Sequence, residues 1–485
     1  MEKALFPILL LPMLAGGAMF LWPIPDRKHR NVYVFCVTLV TSILTAVLLF
    51  SGNAEAQTVL HLSDNVSLAF RMDGLSRVFG AIVAVLWPIA VLYAFEYMRG
   101  DPKENRFFAF YTITYGVVLG IAMAENLFTL YFFYELLTLA TLPLVMQEMD
   151  GKARYAGKKY ILYSMSGAAL SFVAMVLVLN AGTLSFVPGG NGAVTGKIAR
   201  IVFLLGFFGF GAKAAVWPLH SWLPSAGVAP TPVTALLHAV AVVNSGLFAI
   251  MRLVYYVVGA SELSGTAVQT VALAFACFTI VFGSVFALRN HNLKRRLAYS
   301  TVSNLSYILL GVLLMTPRGL AAGLLHMVMH SVIKIILFFC AGAILCATHH
   351  NRRSVADYEG LGHKFPLLFS VFGVASLALI GLPPFGGFTS KFAIATAAAS
   401  LGGAMSVLGV LALCISAFLT GLYLVGVVIR AFFPTDGAFV LPDSEIRKNG
   451  WQINATFIIL TVLLVLVSFF ANDIYAALLS VAELC

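Results

Sequence analysis

Fourteen apolar runs, each close to twenty residues long, begin along this 485-residue chain near positions 4, 32, 74, 107, 126, 160, 198, 228, 267, 299, 320, 366, 403 and 453. A bilayer core takes about 20 residues of helix to cross. Within lipid only helices and closed barrels satisfy their own backbone groups. Runs of this length exceed barrel strands, so the expected fold is an all-α polytopic membrane protein with about fourteen transmembrane helices. The composition agrees: 60% hydrophobic and 10% charged residues, with a mean hydropathy of +0.95. Soluble domains carry about 25% charged residues. A soluble enzyme, a disordered linker and a nucleic-acid-binding module are thereby excluded. The formal charge of +10 sits in short clusters between apolar runs, where the membrane is the simpler partner.

The first run follows Lys3 as a signal peptide would, but DRKHR at 26–30 comes directly after it. A basic cluster there holds that end in the cytoplasm and makes the run a first span with its N-terminus outside. Counting loops alternately from this start puts twenty Lys and Arg on the cytoplasmic side. Seven fall on the other side: Lys3, Arg71, Arg77, Lys197, Arg200, Arg252 and Arg318. This asymmetry supports the span count, places both termini outside, and points to a prokaryotic plasma (inner) membrane as the location.

Lys213, Lys334 and Lys391 remain inside apolar spans, with Glu135 the acid clearly mid-span and His238, His326 and His330 also within spans. Each such group costs roughly 2.5–3.5 kcal/mol at the bilayer centre, so each needs a reason. Helix breakers interrupt two spans. Pro218, Pro224, Pro230 and Pro232 follow Lys213, while Pro383, Pro384, Gly386 and Gly387 precede Lys391. Paired breaks in two halves mark inverted-repeat transporters with midplane sites. Freed backbone at that depth implies a hydrated interior. The six cysteines form no C-x-x-C pair and read as small core residues. GGNGAVTGKI fails as a phosphate loop, with Ile198 where Ser or Thr would stand. No cofactor motif and no redox or hydrolytic site is found.

Each group has a plain structural alternative. Glu135 could make an ordinary interhelical hydrogen bond, and Lys213 and Lys391 could reach toward an interface. His238 and His220 could be core histidines. His326, His330 and Lys334, however, fall at i, i+4 and i+8 on one helix face. Three titratable groups in a row suit a proton relay; without a carboxylate or thiolate beside them they suit zinc poorly.

The runs YELLTLATLPLV, GFGAKAAVWPLHSWLPSAGVAPTPVTALLHAV, LKRRLAYSTVSNLSYILLG, HMVMHSVIKIILFFCAG and GLPPFGGFTSKF resemble the antiporter-like membrane proteins shared by Mrp-type cation/proton antiporters, their D-type component above all, membrane-bound hydrogenases and respiratory complex I. The resemblance extends from about residue 65 to about 430. It implies two inverted five-helix repeats with broken helices 7 and 12: a three-helix segment at 1–106, a first repeat at 107–258, a second at 259–430 and a C-terminal segment at 431–485. It further implies that Glu135 pairs with Lys213, that Lys334 is the central relay lysine and Lys391 the terminal one. Asn244 stands where the family commonly has a lysine, which leaves His238 or water to bridge the halves. Ser225 and Gly227 also depart from the family pattern.

The expected function is proton translocation, with sodium a candidate second ion, by one membrane subunit of a multi-subunit Mrp or complex I-like assembly. The relay would be Glu135, Lys213, His238, His326, His330, Lys334 and Lys391, with no cofactor and no metal. Its partners would be other membrane subunits, protons and the lipid bilayer, and no nucleic acid. An alternative is the pumping subunit of a quinone- or ferredoxin-linked oxidoreductase or membrane-bound hydrogenase, its redox sites on partner chains. A stand-alone solute carrier would need a substrate pocket around the breaks, where the sequence instead lines up Lys and His.

Overall fold

A computed structural model of the chain describes residues 5–50, 55–348, 353–435, 442 and 446–485. Lys3 and Arg352, both used in the charge count, lie outside the described residues. The helices, in order, are α1 (Leu5–Leu21), α2 (Arg27–Phe50), α3 (Gly74–Tyr97), α4 (Glu104–Ala122), α5 (Leu127–Val145), α6 (Gly151–Ala181) and α7 (Gly196–Gly211). Short pieces follow: α8 (Trp222–Ala226), α9 (Thr231–Ala239), α10 (Val242–Arg252), a π-helical turn at Leu253–Val258, and α11 (Ala260–Leu263). The remainder are α12 (Ala267–Arg289), α13 (Leu293–Leu313), α14 (Pro317–Ala347), α15 (Leu361–Lys364), α16 (Pro366–Ile380), α17 (Gly386–Leu401), α18 (Gly403–Phe432), α19 (Trp451–Phe469) and α20 (Ala471–Glu483).

Among the described residues, nine helical stretches are long and apolar enough to cross a membrane. The stretches α1 and α16 are shorter apolar helices. Others are more polar, such as α13 with its LKRRLAYSTVSNLSY start, or are stopped short by the breaks, such as α7 and α17. Polar caps set several starts: Asp73, Asn126, Asp150 and Asn292 each accept a hydrogen bond from the backbone N–H three residues on, satisfying an otherwise orphaned donor. The described residues also contain strand structure. Strands β1 (Gln57–Ser63) and β2 (Val66–Phe70) form an antiparallel hairpin around Asp64 and Asn65.

Helix α14 is buried along almost its whole length and packs against α3, α9, α13, α16, α17, α19 and α20. The stretch from Thr231 to Val258 is buried throughout. These two are the centre of the molecule; α2, α18 and α19 lie outside with many exposed aliphatics. Helix α3 runs from one end of the bundle to the other. At its start gather the hairpin, Arg71, Asp73 and Arg252; at its finish Arg27 donates to the Phe95 carbonyl at 2.6 Å and Arg447 reaches Glu96 at 3.4 Å.

Three segments interrupt the helices at depth. Between α7 and α8 the chain turns irregularly, with Trp222 Nε1 donating to the freed Ala212 carbonyl at 2.7 Å. Between α16 and α17 the chain leaves the helix at Gly381, whose φ of +87° suits glycine. The third, at Val240 and Ala241 between α9 and α10, falls in a run without proline or glycine and is not legible in the sequence.

Candidate functional site

The interruptions place the buried cations. Lys213 sits just past the end of α7, fully buried, and its Nζ donates to the backbone carbonyl of Tyr134 on α5. The same ammonium lies 3.4 Å from the centroid of the Tyr134 ring, where the ring face attracts it. The next residue on α5, Glu135, brings Oε1 to 3.9 Å from Lys213 Nζ. That is a charge pair without a hydrogen bond. Glu135 remains 29% exposed at its side chain, so the carboxylate spans the boundary between the core and the outer face of α5.

Helix α10 connects this pair to the centre. A Cβ built on Gly246 would lie 2.5 Å from Ala214 N, so only glycine lets α10 pack against the break that carries Lys213. Two residues earlier on the same helix, Asn244 Nδ2 donates to the Ala239 carbonyl and to Ser331 Oγ, both at 2.9 Å. His330 Nε2 faces the His238 carbonyl at 3.2 Å. The α9–α10 break thus exposes backbone oxygen to α14, and Asn244 ties α10 to α14 through Ser331.

Along α14, the rings of His326 and His330 lie 6.4 Å apart. Lys334, one further turn on and fully buried, donates to Ser300 Oγ and, at 3.2 Å, to the Leu297 carbonyl on α13. At the other end His326 Nδ1 meets Ser390 Oγ on α17 at 2.9 Å. The neighbouring Lys391 donates to the freed carbonyls of Leu379 and Ile380, at 2.6 and 3.2 Å, and lies 4.9 Å from the Tyr307 ring. At both breaks the chain therefore leaves the oxygen atoms, or the packing space, for a buried lysine. The ring nitrogens of His238, His330 Nδ1, His326 Nε2, Asn244 Oδ1 and Glu135 Oε1 take no hydrogen bond from the described residues.

All seven residues picked from the sequence fall in or beside this buried line. Glu135 with Lys213 and His238 with His330 are in contact; among the described residues no direct bond joins Lys213 to Lys334, and α10 packs on the Lys213 break at Gly246 and reaches α14 through Asn244. His220 stands apart, packed on Phe282 at 4.8 Å between ring centroids. Among the described residues no three His, Cys, Asp or Glu side chains converge as a metal set.

Sequence reasoning missed a second polar cluster. Arg252, counted above as a loop charge, is 1% exposed. It grips Asp73 with two hydrogen bonds of 2.5 and 2.8 Å and reaches Ser76 Oγ at 2.9 Å. The ring of Tyr256 lies 4.4 Å from its guanidinium. Burial pushes the Asp73 carboxyl up, but the Arg252 charge and hydrogen bonds from Arg252 and Ser76 outweigh it and hold the group down at about 2. Nearby, Glu125 lies 3.7 Å from Arg71; burial raises its carboxyl above the usual range and the Arg71 charge only partly offsets that. The available signal was Arg252 itself, which lies between FAIM and LVYYVV with no loop residue beside it. Buried Arg30 and Glu104, joined at the opposite end, were likewise read as loop charges or passed over.

Comparison with known proteins bears on this architecture. Residues 124–420 match the family model described as NADH:quinone oxidoreductase/Mrp antiporter, TM. Residues 60–108 match NADH-Ubiquinone oxidoreductase (complex I), chain 5 N-terminus. NADH-quinone oxidoreductase subunit L of Mycobacterium tuberculosis is 32% identical over 375 residues, 76% of this chain and 58% of that protein. A probable K(+)/H(+) antiporter component of Rhizobium meliloti is 29% identical over 400 residues, 80% of this chain and 39% of that protein. The chain thus spans well under two thirds of these relatives. Among solved structures, a chain of the Mrp complex from Dietzia sp. superposes with a TM-score of 0.85 at 21% identity, covering 100% of this chain and 97% of that one. A chain of respiratory complex I from Thermus thermophilus gives 0.83 at 22% identity, with 99% of each covered. The fold is therefore that of these membrane proteins, and the chain belongs to the NADH:quinone oxidoreductase/Mrp antiporter transmembrane family.

Proposed function

We propose that this chain translocates protons as one membrane subunit of a multi-subunit assembly of the Mrp or complex I type. The observation that carries the reading is the buried polar line that crosses both broken helices and α14. Glu135 and Lys213 form a pair that opens and closes; their 3.9 Å separation leaves either state within reach of a small side-chain rotation. When the pair opens, the freed Lys213 charge repels protons farther along, through Asn244, His238 and His330 to Lys334. His326, Ser390 and Lys391 continue the line toward the second break. Buried polar atoms ordinarily find a partner in protein or water, so the unsatisfied ring nitrogens suit a hydrated path. Two inverted repeats divided near residue 258 and fourteen spans with both termini outside are part of this reading.

The partial exposure of Glu135 supports the multi-subunit setting. Phe132 and Leu139, 45% and 62% exposed on the same side of α5, would suit lipid, but a mid-span carboxylate between them does not. A neighbouring membrane subunit covers it in this reading. Whether redox chemistry on partner chains or an ion gradient drives the assembly defines the alternative, an oxidoreductase or hydrogenase pumping subunit; the 32% identity to an NADH-quinone oxidoreductase subunit favours it. Sodium as the countertransported ion is a further part of the proposal.

The test is Lys213→Ala in the intact assembly. Proton flux falls by about tenfold or more, the scale set by losing a proton-transfer group, while the co-purifying subunits stay unchanged. Undiminished flux with a normal assembly overturns the relay.

A further inference from the structure

At the end of the bundle that carries Arg27, Arg30 and Glu104, a cavity of about 240 Å³ opens between the two halves. Its walls come from the start of α6, the 227–229 turn before α9, the start of α13, the foot of α14 at Ala341 and Leu345, and Arg353 with Tyr358. Four cations line it, Lys152, Lys294, Arg295 and Arg353, against one carboxylate, Glu148. They arrive from three separate stretches of chain. Among the described residues, none of the four has a carboxylate oxygen within ion-pair distance.

One of these cations is fixed in place. Lys294 Nζ donates to the Ala229 carbonyl at 2.7 Å, which seats the ammonium on the inner wall. The first turn of α13, capped by the neutral Asn292, also faces the cavity at Leu293, adding the positive end of one helix dipole. Val228, Ala341 and Leu345 supply apolar walls, and a concave site with low-dielectric walls focuses the field of its charges. Scattered basic residues at a membrane surface would keep their charges solvated and apart. Here four basic side chains line one concave, open-mouthed space, three of them exposed at its rim and Lys294 half-buried, and their mutual repulsion falls when an anion enters it.

We propose that this cavity binds a phosphate-bearing anion, with Lys294 at the inner wall and Lys152, Arg295 and Arg353 around the mouth. An acidic phospholipid headgroup and a free phosphate share the chemistry. The cavity lies at the end of the membrane helices, where a headgroup would reach it with its acyl chains in the bilayer. Bound there, the anion would cross-link the feet of α6, α13 and α14, and so the first and second halves.

The experiment uses the assembly carrying this chain, purified and stripped of lipid. Its thermal inactivation is followed with inorganic phosphate, or after transfer to phosphatidylcholine nanodiscs with or without phosphatidylglycerol. The wild type gains protection that saturates with one of the two probes. Protection by phosphatidylglycerol alone identifies a headgroup; protection by inorganic phosphate identifies a soluble ligand. The double variant K152Q/R353Q changes exposed side chains, so folding is preserved, and it weakens the response by about tenfold, roughly threefold for each charge removed. E148Q removes the opposing charge and shifts the response the other way, by about threefold. Saturable protection from neither probe, or a response identical in wild type, K152Q/R353Q and E148Q, overturns the proposal.

Discussion

A buried charge is stable only with its partners, and the two clusters solve that problem in different ways. Asp73 and Arg252 are locked by two short hydrogen bonds and Ser76, whereas Glu135 and Lys213 stand 3.9 Å apart with backbone oxygen as the lysine's closer partner. The first is a clasp; the second leaves ammonium and carboxylate without a direct hydrogen bond. Asp73→Asn, which leaves Arg252 buried without its counter-charge, should cost about 3–5 kcal/mol of stability and shorten the half-life of the purified assembly at a fixed temperature. Because folding lowers the Asp73 carboxyl to about 2, below its unfolded value of about 3.9, the clasp's contribution is complete above about pH 5. It is lost as pH falls from there through 2. Between pH 5 and 8 the group's contribution should therefore be full and constant, and a wild-type minus Asp73→Asn difference in inactivation half-life that varies in that range contradicts the assignment. Glu135→Gln should shorten the half-life less than Asp73→Asn, because Lys213 keeps the Tyr134 carbonyl and ring as partners, and remove most of the proton flux. The lysines and Glu135 were legible in the sequence because each interrupts a long apolar run. Asp73 was not, because an acid just before a helix reads as a cap, which it also is.

At the level of the helices, interruption recurs three times, and each break leaves carbonyl oxygen or space where a buried polar side chain needs it. The breaks after Lys213 and before Lys391 were announced by Pro218, Pro383 and Pro384, whose missing N–H and fixed φ forbid a continuous helix. The one at Val240 and Ala241 has no such marker; there the packing of α9 and α10 against α14 overrides local propensity. Gly387 shows how tight the second break is, for a Cβ there would lie 1.9 Å from the Ala378 carbonyl oxygen. Gly387→Ala is expected to force α16 and α17 apart and abolish incorporation of the chain into its assembly, measured as loss of its co-purifying partners, whereas Gly421→Ala, in open space on α18, should assemble normally. Asn244→Leu keeps the volume of α10 but removes the bonds to Ala239 and Ser331. It should slow proton flux without disturbing assembly; unchanged flux would mean that the line between the halves runs elsewhere. The β1–β2 hairpin was overlooked, although QTVLHLSDNVSLAF alternates apolar with polar residues around an Asp-Asn turn; the apolar runs on both sides dominate any reading of that region.

For the whole molecule, hydropathy alone dictated a bundle of membrane helices, since no other backbone arrangement of such runs satisfies its hydrogen bonds in lipid. The position of α14 at the centre was not legible, because periodicity says which residues are apolar but not which helix has neighbours on every side. That position matters for function. Lys334 lies buried between α13 and α14, where, among the described residues, Ser300 and the Leu297 carbonyl hold its ammonium. If protons pass from one half to the other, they pass this residue. The most direct test is therefore proton flux in proteoliposomes carrying the purified assembly, wild type against Lys334→Met, a side chain of similar length without the charge. The account predicts a loss of about tenfold or more with the subunit composition intact; flux equal to wild type from a fully assembled Lys334→Met complex would contradict a relay through the centre of this chain.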